Sequence, residues 1–256
     1  MLPVQAIASD PSSANLVELF SSIQGEGILV GNRQIFLRFP GCNLKCNYCD
    51  TEHNALKTCE IETTPGLRDF RKVQNPVSLA TVIDLLTAWK NQWPFLHHSL
   101  SITGGEPLLH SELLVEWLPN LRALFPIYLE TNGLFFEQLI SIIDYVDIIS
   151  MDIKLQSTSG HSGLRRNHSE FLKVAVTKQC YVKVVVGIET GNDEVGEAAQ
   201  LIAAIKQDIP LIIQPVTKQL SNRKIGAHLL QLQQAATAFL KDVRVIPQTH
   251  AIINVQ

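Results

Sequence analysis

No apolar run in this 256-residue chain approaches the ~18 residues that a membrane-spanning helix requires. The opening stretch MLPVQAIASDPSSANL has neither a basic start nor a sustained apolar core, so no secretory leader is expected in it. Residues 1–17 read instead as a flexible lead-in. Strong charge of one sign is also missing: 21 Lys and Arg face 24 Asp and Glu, a net charge of −3. A surface built to neutralise phosphate backbones is thereby disfavoured, and basic pieces such as LRRNH and SNRK read as solvated faces. Nucleic acid and membrane are not expected partners. Cysteine is scarce and odd in number, at five, and three of the five sit too close together for a disulfide framework. That usage suits a reducing compartment, with the cytoplasm as the default. Internal repeats, low-complexity tracts and a second-domain linker are absent as well, so residues 18–256 read as one domain.

What is present is a hydrophobic fraction of 46%, ample for a large core at this length. Strand-like runs alternate with helical patterns. QIFLRFP (34–40) is β-branched and aromatic and ends at a Pro-Gly break. A helical pattern follows in PVSLATVIDLLTAWKNQ, with Ser78 as its N-cap. Then LSIT, IYLET, VDIISMDIK, YVKVVVG, LIIQPV and VRVIP read as strands, each separated from the next by a helical segment. Such βα units build a parallel sheet with helices outside, because crossover connections are right-handed. With about six strands the sheet is too small for a closed eight-stranded barrel, and an open, partial β/α barrel is expected. Residues 54–76 break the pattern and read as an irregular insert.

Ligands of parallel α/β sheets gather at the carboxyl ends of the strands. The polar clusters of this chain fall there: GCNLKCNYCDT, TGGEP, ETNG, SMDIK, QPVT and PQTH each follow a strand. The first carries Cys42, Cys46 and Cys49 in a Cx3Cx2C pattern. Soft thiolates select zinc, copper(I) or an iron–sulfur cluster. In isolation clustered cysteines favour structural zinc, and Cys59 or His53 is near enough in sequence to complete such a site. Against zinc stand the position of Cys59 in the insert and the placement of the three cysteines at a catalytic rim. TGGEP alone is a glycine turn, although Gly104 and Gly105 would let backbone approach a ligand closely.

Together, Cx3Cx2C after the first strand, Tyr48 before the last cysteine and GGEP after the second strand resemble the radical S-adenosylmethionine superfamily. The resemblance implies that the three cysteines hold a [4Fe–4S] cluster, whose remaining iron chelates the amino and carboxylate groups of S-adenosylmethionine. It also implies cofactor contacts from Tyr48, Gly104, Gly105, Glu106, Asn132, Ser150, Asp152, Lys154 and Gln214. Glu106 is expected to orient its turn. Asn132-Gly133 would serve equally well as a plain turn.

A finer resemblance covers ELFSSIQGEGILVGNRQIFLRFPGCNLKCNYCDT (18–51). It is similar to the deazapurine-forming lyases of that superfamily, which convert 6-carboxy-5,6,7,8-tetrahydropterin to 7-carboxy-7-deazaguanine by ring contraction and loss of ammonia. Substrate contacts are implied for Ile23, Gln24, Gly25, Glu26, Arg38, Thr103, Gln248 and His250. The plain alternative is a glycine hairpin with Arg38 on a solvated face. An amide and a carboxylate at Gln24 and Glu26 would suit an amino-pyrimidine edge, and a guanidinium at Arg38 a substrate carboxylate. A lone histidine is more often structural, and only its motif singles out His250. Thr51 is implied as a Mg²⁺ ligand, against a plain turn-capping reading of Asp50-Thr51. The resemblance further implies a homodimer and an electron donor such as a flavodoxin or ferredoxin. Departures are Ala251 where a lysine is expected, and the residues after His250. A glycyl-radical activase and a zinc- or cluster-bearing binding protein are the rival readings.

Overall fold

The computed structural model of the chain describes residues 11–49 and 56–255. Its strands are β1 (Ser13–Ala14), β2 (Glu18–Ile23), β3 (Arg33–Phe39), β4 (Thr58–Glu62), β5 (Phe70–Gln74) and β6 (Val77–Ser78). These are followed by β7 (Ser99–Gly104), β8 (Ile127–Thr131), β9 (Ile148–Asp152), β10 (Gln179–Val186), β11 (Leu211–Pro215) and β12 (Val243–Val245). The helices are α1 (Leu79–Gln92), α2 (Ser111–Arg122), α3 (Phe136–Ile142), α4 (Gln156–Ser159), α5 (Arg165–Ala175), α6 (Asn192–Ala203), α7 (Ile225–Thr237) and α8 (Thr249–Ile253).

A ten-stranded sheet runs in the order β12-β11-β10-β9-β8-β7-β3-β2-β4-β5. From β3 through β12 every neighbouring pair is parallel. The two end strands, β12 and β5, do not meet, so the barrel is open as expected. The sheet is nevertheless larger than about six strands. β2 adds antiparallel to β3, and the insert contributes the other edge. Residues 58–74 are therefore not irregular but a β4–β5 ribbon. Their alternation is masked in sequence because β5 is an exposed edge strand, with Arg71, Lys72 and Gln74 in solvent.

The lead-in also differs from its expectation over 11–17. Ala14 and Leu16 are buried, β1 pairs with β6, and Trp117 Nε1 donates to the Pro11 carbonyl at 2.9 Å. The side chain of Asn75 holds Leu16 at both backbone groups, at 2.8 and 3.0 Å. Two isolated apolar residues, Ala14 and Leu16, amid polar ones carry too weak a pattern to announce such packing.

Strand alternation gives the sheet two unlike faces. On β3, Ile35, Leu37 and Phe39 enter the main core under the helices, as Leu100 and Ile102 do on β7. Helix α1 is started by Ser78, whose hydroxyl accepts from the Thr81 amide at 3.1 Å, and it buries Val82, Leu86 and Trp89 on one stripe. Each such side chain contributes about 1.5–3 kcal/mol on burial. The alternate residues, Gln34, Ser99, Ser101, Thr103, Ser150 and Lys183, are polar yet buried. They share this face with a smaller apolar cluster of Tyr128, Ile148, Tyr181 and Ile212, and the polar groups lead up to the strand ends.

Candidate active site at the strand ends

The cysteine loop leaves β3 through Gly41 at φ +85°. It is tied down from several sides. Asn132 Nδ2 donates to Asn43 Oδ1 at 2.8 Å, and the Lys45 amide donates to His161 Nε2 at 3.2 Å. The TGGEP turn lies directly against it: the Glu106 amide donates to the Gly41 carbonyl at 2.8 Å. A Cβ on Gly105 would fall 2.0 Å from that same carbonyl and 2.9 Å from Cys42 Cβ, and one on Gly104 2.1 Å from the Phe39 carbonyl. The two glycines therefore exist to let two loops touch. Glu106 is fully buried and accepts from the amides of Leu108 (3.1 Å) and Asn132 (2.7 Å) and from the Thr131 hydroxyl (2.9 Å). Burial pushes its carboxyl up to about 7, against the pull of those three donors. It orients its turn and joins the ends of β7 and β8, and it does not line the recess, unlike the cofactor contact that the resemblance implies for it.

Cys42, Cys46 and Cys49 line one recess of about 480 Å³. Burial pushes the Cys42 and Cys46 thiols up, and the thiols raise one another, while Lys154 works in the opposite sense. Neighbouring thiolates without a cation repel, and a bound iron–sulfur core removes that cost. Among the described residues no three His, Cys, Asp or Glu side chains converge on a single-ion position. Three soft thiolates on one recess are the donor set that an iron–sulfur cluster takes, and Cys42, Cys46 and Cys49 are the residues that would hold it. Cys59, the candidate fourth zinc ligand, is fully buried in the helix-side core on β4, where burial pushes its thiol up to about 12. It has no part in the recess. Thr51 and His53 lie outside the described residues.

The floor of the recess is charged. Lys154 Nζ donates to Asp152 Oδ2 at 2.7 Å and to the Tyr48 hydroxyl at 3.1 Å, joining β9 to the cysteine loop. Burial pushes the Tyr48 phenol up to about 12. Across the recess, Glu26 accepts from Lys183, from Gln248 Nε2 at 2.7 Å and from Gln214 Nε2 at 3.2 Å. Burial raises the Glu26 carboxyl, but Lys183 and the amide donor outweigh it and hold it down at about 2. Gln24 is also buried. Its Nε2 donates to Glu130 (2.9 Å) and Gln34 (2.8 Å), and its Oε1 accepts from the Glu26 amide at 2.9 Å. Thr103 donates its hydroxyl to Glu130 at 2.7 Å. Asn132 Oδ1 and Gln214 Oε1 are buried acceptors with no partner, a cost that ligand N–H groups would remove.

The motifs at the two ends of the chain meet here. The Thr249 amide donates to the Gly25 carbonyl at 2.9 Å, and a Cβ on Gly25 would fall 2.0 Å from His250 Nδ1. Ile23, at the end of β2, is half-buried beside them. Arg38 stands apart. It is in register with Thr103, but its Nε donates to Glu18 at 2.6 Å, its side chain is 24% exposed, and it does not line the recess. Gln214 likewise faces Glu26 rather than the cysteine loop. Lys183 and Glu130 line the recess although sequence reasoning passed them over. A lone lysine inside YVKVVVG was the available signal for Lys183, and Glu130 opens the ETNG motif.

The family model for the radical SAM superfamily matches residues 36–175. The 7-carboxy-7-deazaguanine synthase of Geobacter sulfurreducens is 51% identical over 245 residues, spanning 94% of this chain and 97% of that protein. Its counterpart in Methanothermobacter thermautotrophicus is 34% identical over 265 residues, spanning 95% and 98%. Among solved structures, QueE from Escherichia coli superposes with a TM-score of 0.55 at 19% identity, covering 95% of this chain and all (100%) of that one. Streptococcus suis SuiB bound to S-adenosylmethionine gives 0.53 at 15% identity, covering 82% and 48%. At these identities the two structures speak for the fold alone.

Proposed function

The chain belongs to the radical SAM superfamily and, within it, to the family of 7-carboxy-7-deazaguanine synthases, and from that premise we propose that it converts 6-carboxy-5,6,7,8-tetrahydropterin to 7-carboxy-7-deazaguanine with loss of ammonia. The observation that carries the reading is 51% identity over 245 residues to a protein of that name, in a chain whose QGEG, cysteine, GGEP and PQTH motifs border one recess.

Cys42, Cys46 and Cys49 would hold the [4Fe–4S] cluster, with S-adenosylmethionine on the side of Gly104, Gly105, Asn132, Ser150, Asp152 and Lys154. When bound, the pair supplies a one-electron cleavage that yields a hydrogen-abstracting 5′-deoxyadenosyl radical. The protein's own part is binding, orientation and exclusion of water. Glu26 is ionised and so accepts from the N–H groups of the pterin's amino-pyrimidine edge. Gln248 and Gln214 keep that carboxylate fixed, and Gln24 locks the loop that carries it. His250 packs on Gly25 and closes the same end. Arg38 is one strand from Thr103 and would take the substrate carboxylate by exchanging Glu18 for it. Thr51 would contribute to a Mg²⁺ site shared with substrate. A homodimer in the cytoplasm, served by a flavodoxin- or ferredoxin-like donor, completes the proposal.

The test is anaerobic incubation of cluster-loaded protein with the carboxytetrahydropterin, S-adenosylmethionine, reductant and Mg²⁺. Deazapurine and ammonia in equal amounts are expected. Cofactor cleavage without either product, together with copurification of a large partner protein, would favour the activase reading.

A further inference from the structure

The recess holds one cation that serves both of its halves. Lys183 Nζ pairs with Glu26 Oε2 on the substrate side and lies 3.4 Å from Asp152 Oδ1 on the cofactor side. Asp152 is in turn bound through Oδ2 to Lys154, and Lys154 to the Tyr48 hydroxyl next to Cys49. Alternating charges therefore run from the QGEG loop toward the cysteine loop through Glu26, Lys183, Asp152 and Lys154, and end on the neutral Tyr48 phenol. Lys183 stands between Glu26 and Asp152. It is 8% exposed and sits in β10 among Val182, Val184, Val185 and Val186, which are buried. β10 is rigid at this point, paired with β9 at Asp152 and with β11 at Ile212.

A buried lysine needs an anion, and one carboxylate would suffice to keep it charged. Two carboxylates from separate elements make it a shared link instead. Glu26 is carried by a loop, not by a strand, so its position depends on what holds its side chain. Gln214 and Gln248 hold Oε1, and among the described residues Lys183 is the partner of Oε2. Any ligand that draws Asp152 toward itself changes how much of the Lys183 charge is left for Glu26.

We propose that Lys183 is a positioning residue that couples the two halves of the recess, so that S-adenosylmethionine bound beside Asp152 orders the Glu26 loop for substrate. The proposal rests on the division into cofactor and substrate halves given above. Coupling of this kind is reciprocal: substrate tightens the cofactor by the factor by which the cofactor tightens substrate.

The experiment is hydrogen–deuterium exchange of cluster-loaded protein with and without S-adenosylmethionine, at concentrations that saturate each variant, in the absence of any pterin. In the unaltered protein the cofactor is expected to slow exchange of the 24–29 amides by about fivefold or more. In Lys183→Met and Lys183→Gln that protection is expected to fall below about twofold, although the cofactor is still bound. Lys183→Arg can meet both carboxylates through its fork and is expected to restore it. A purely structural lysine would alter melting temperature without changing the cofactor-dependent difference. Full protection in a folded Lys183→Gln protein, or none in the unaltered protein, overturns the proposal. Failure to turn over the carboxypterin would strike the proposed function alone, because this assay contains no pterin.

Discussion

Glu26 and Gln248 lie 222 positions apart in sequence and are joined by a 2.7 Å hydrogen bond from amide Nε2 to carboxylate Oε1. The bond closes the C-terminal segment over the QGEG loop, and Gln248 is itself held by the Thr217 hydroxyl. A hydrogen bond to a buried charge contributes about 1.5–3 kcal/mol. Gln248→Ala is therefore expected to weaken pterin binding by about tenfold or more while S-adenosylmethionine affinity changes less than about twofold. Calorimetric titration with each ligand checks this, and equal losses for both would mean that Gln248 serves the whole recess.

Gly105 is predicted to tolerate no side chain. The 2.0 Å approach of a Cβ to the Gly41 carbonyl leaves backbone to move, and the backbone in question precedes Cys42. Gly105→Ala should lower iron and sulfide content after reconstitution and flatten the visible absorption of the cluster. Gly226→Ala, with open space around its Cβ position, is the control and should load normally.

The cysteines divide into two kinds. Replacing Cys42, Cys46 or Cys49 by Ala should abolish cluster and turnover together. Cys59→Ala should keep a full cluster and cost only about 1 kcal/mol of stability, since it trims a buried thiol in the helix-side core. Loss of iron in the Cys59 variant would revive a four-cysteine site.

Arg38 tests the substrate assignment most directly, because it already has an anion in Glu18. Arg38→Ala is expected to weaken binding of the carboxypterin far more than of a pterin lacking the carboxylate, with cofactor affinity retained. Glu18→Gln removes the competitor and should tighten carboxypterin binding. A Glu18→Gln protein with unchanged or weaker binding would place the carboxylate elsewhere.

Stability should fall on acidification. Burial holds the imidazoles of His97 and His168 down to about 4, so between pH ~6.5 and ~4 the unfolded chain takes up protons that the folded chain refuses. Their stabilisation is complete above ~6.5 and lost as pH drops toward 4. Glu106, pushed up to about 7, acts oppositely, because the folded chain retains a proton that the unfolded chain releases above ~4.5. Burial holds the His110 imidazole down in the same sense, so the histidines outweigh Glu106 and a net loss of stability is expected between pH ~6 and ~5. Urea unfolding at those two pH values measures it, and a flat or rising profile would contradict the balance.

Much of the architecture was legible because it is periodic. β3, β7 and the later parallel strands each announce themselves as apolar runs, and the α1 stripe with its Ser78 cap follows from local rules. The β4–β5 ribbon and the packed segment 11–17 were not legible: an exposed edge strand and two isolated apolar residues give no such signal. Residue types fixed the chemistry in the same way. Three thiols at Cx3Cx2C spacing announce a metal site, the neighbouring motifs point to a cluster, and GGEP supplies glycine where a close approach is required. Which partner each side chain meets was decided only by the fold. The meeting of Gly25 with His250, the Glu18 partner of Arg38, the burial of Cys59 and the place of Lys183 between Glu26 and Asp152 all depend on contacts between distant segments. Sequence spacing carries information over one turn or one strand, whereas a recess at the ends of parallel strands collects one or two residues from each crossover.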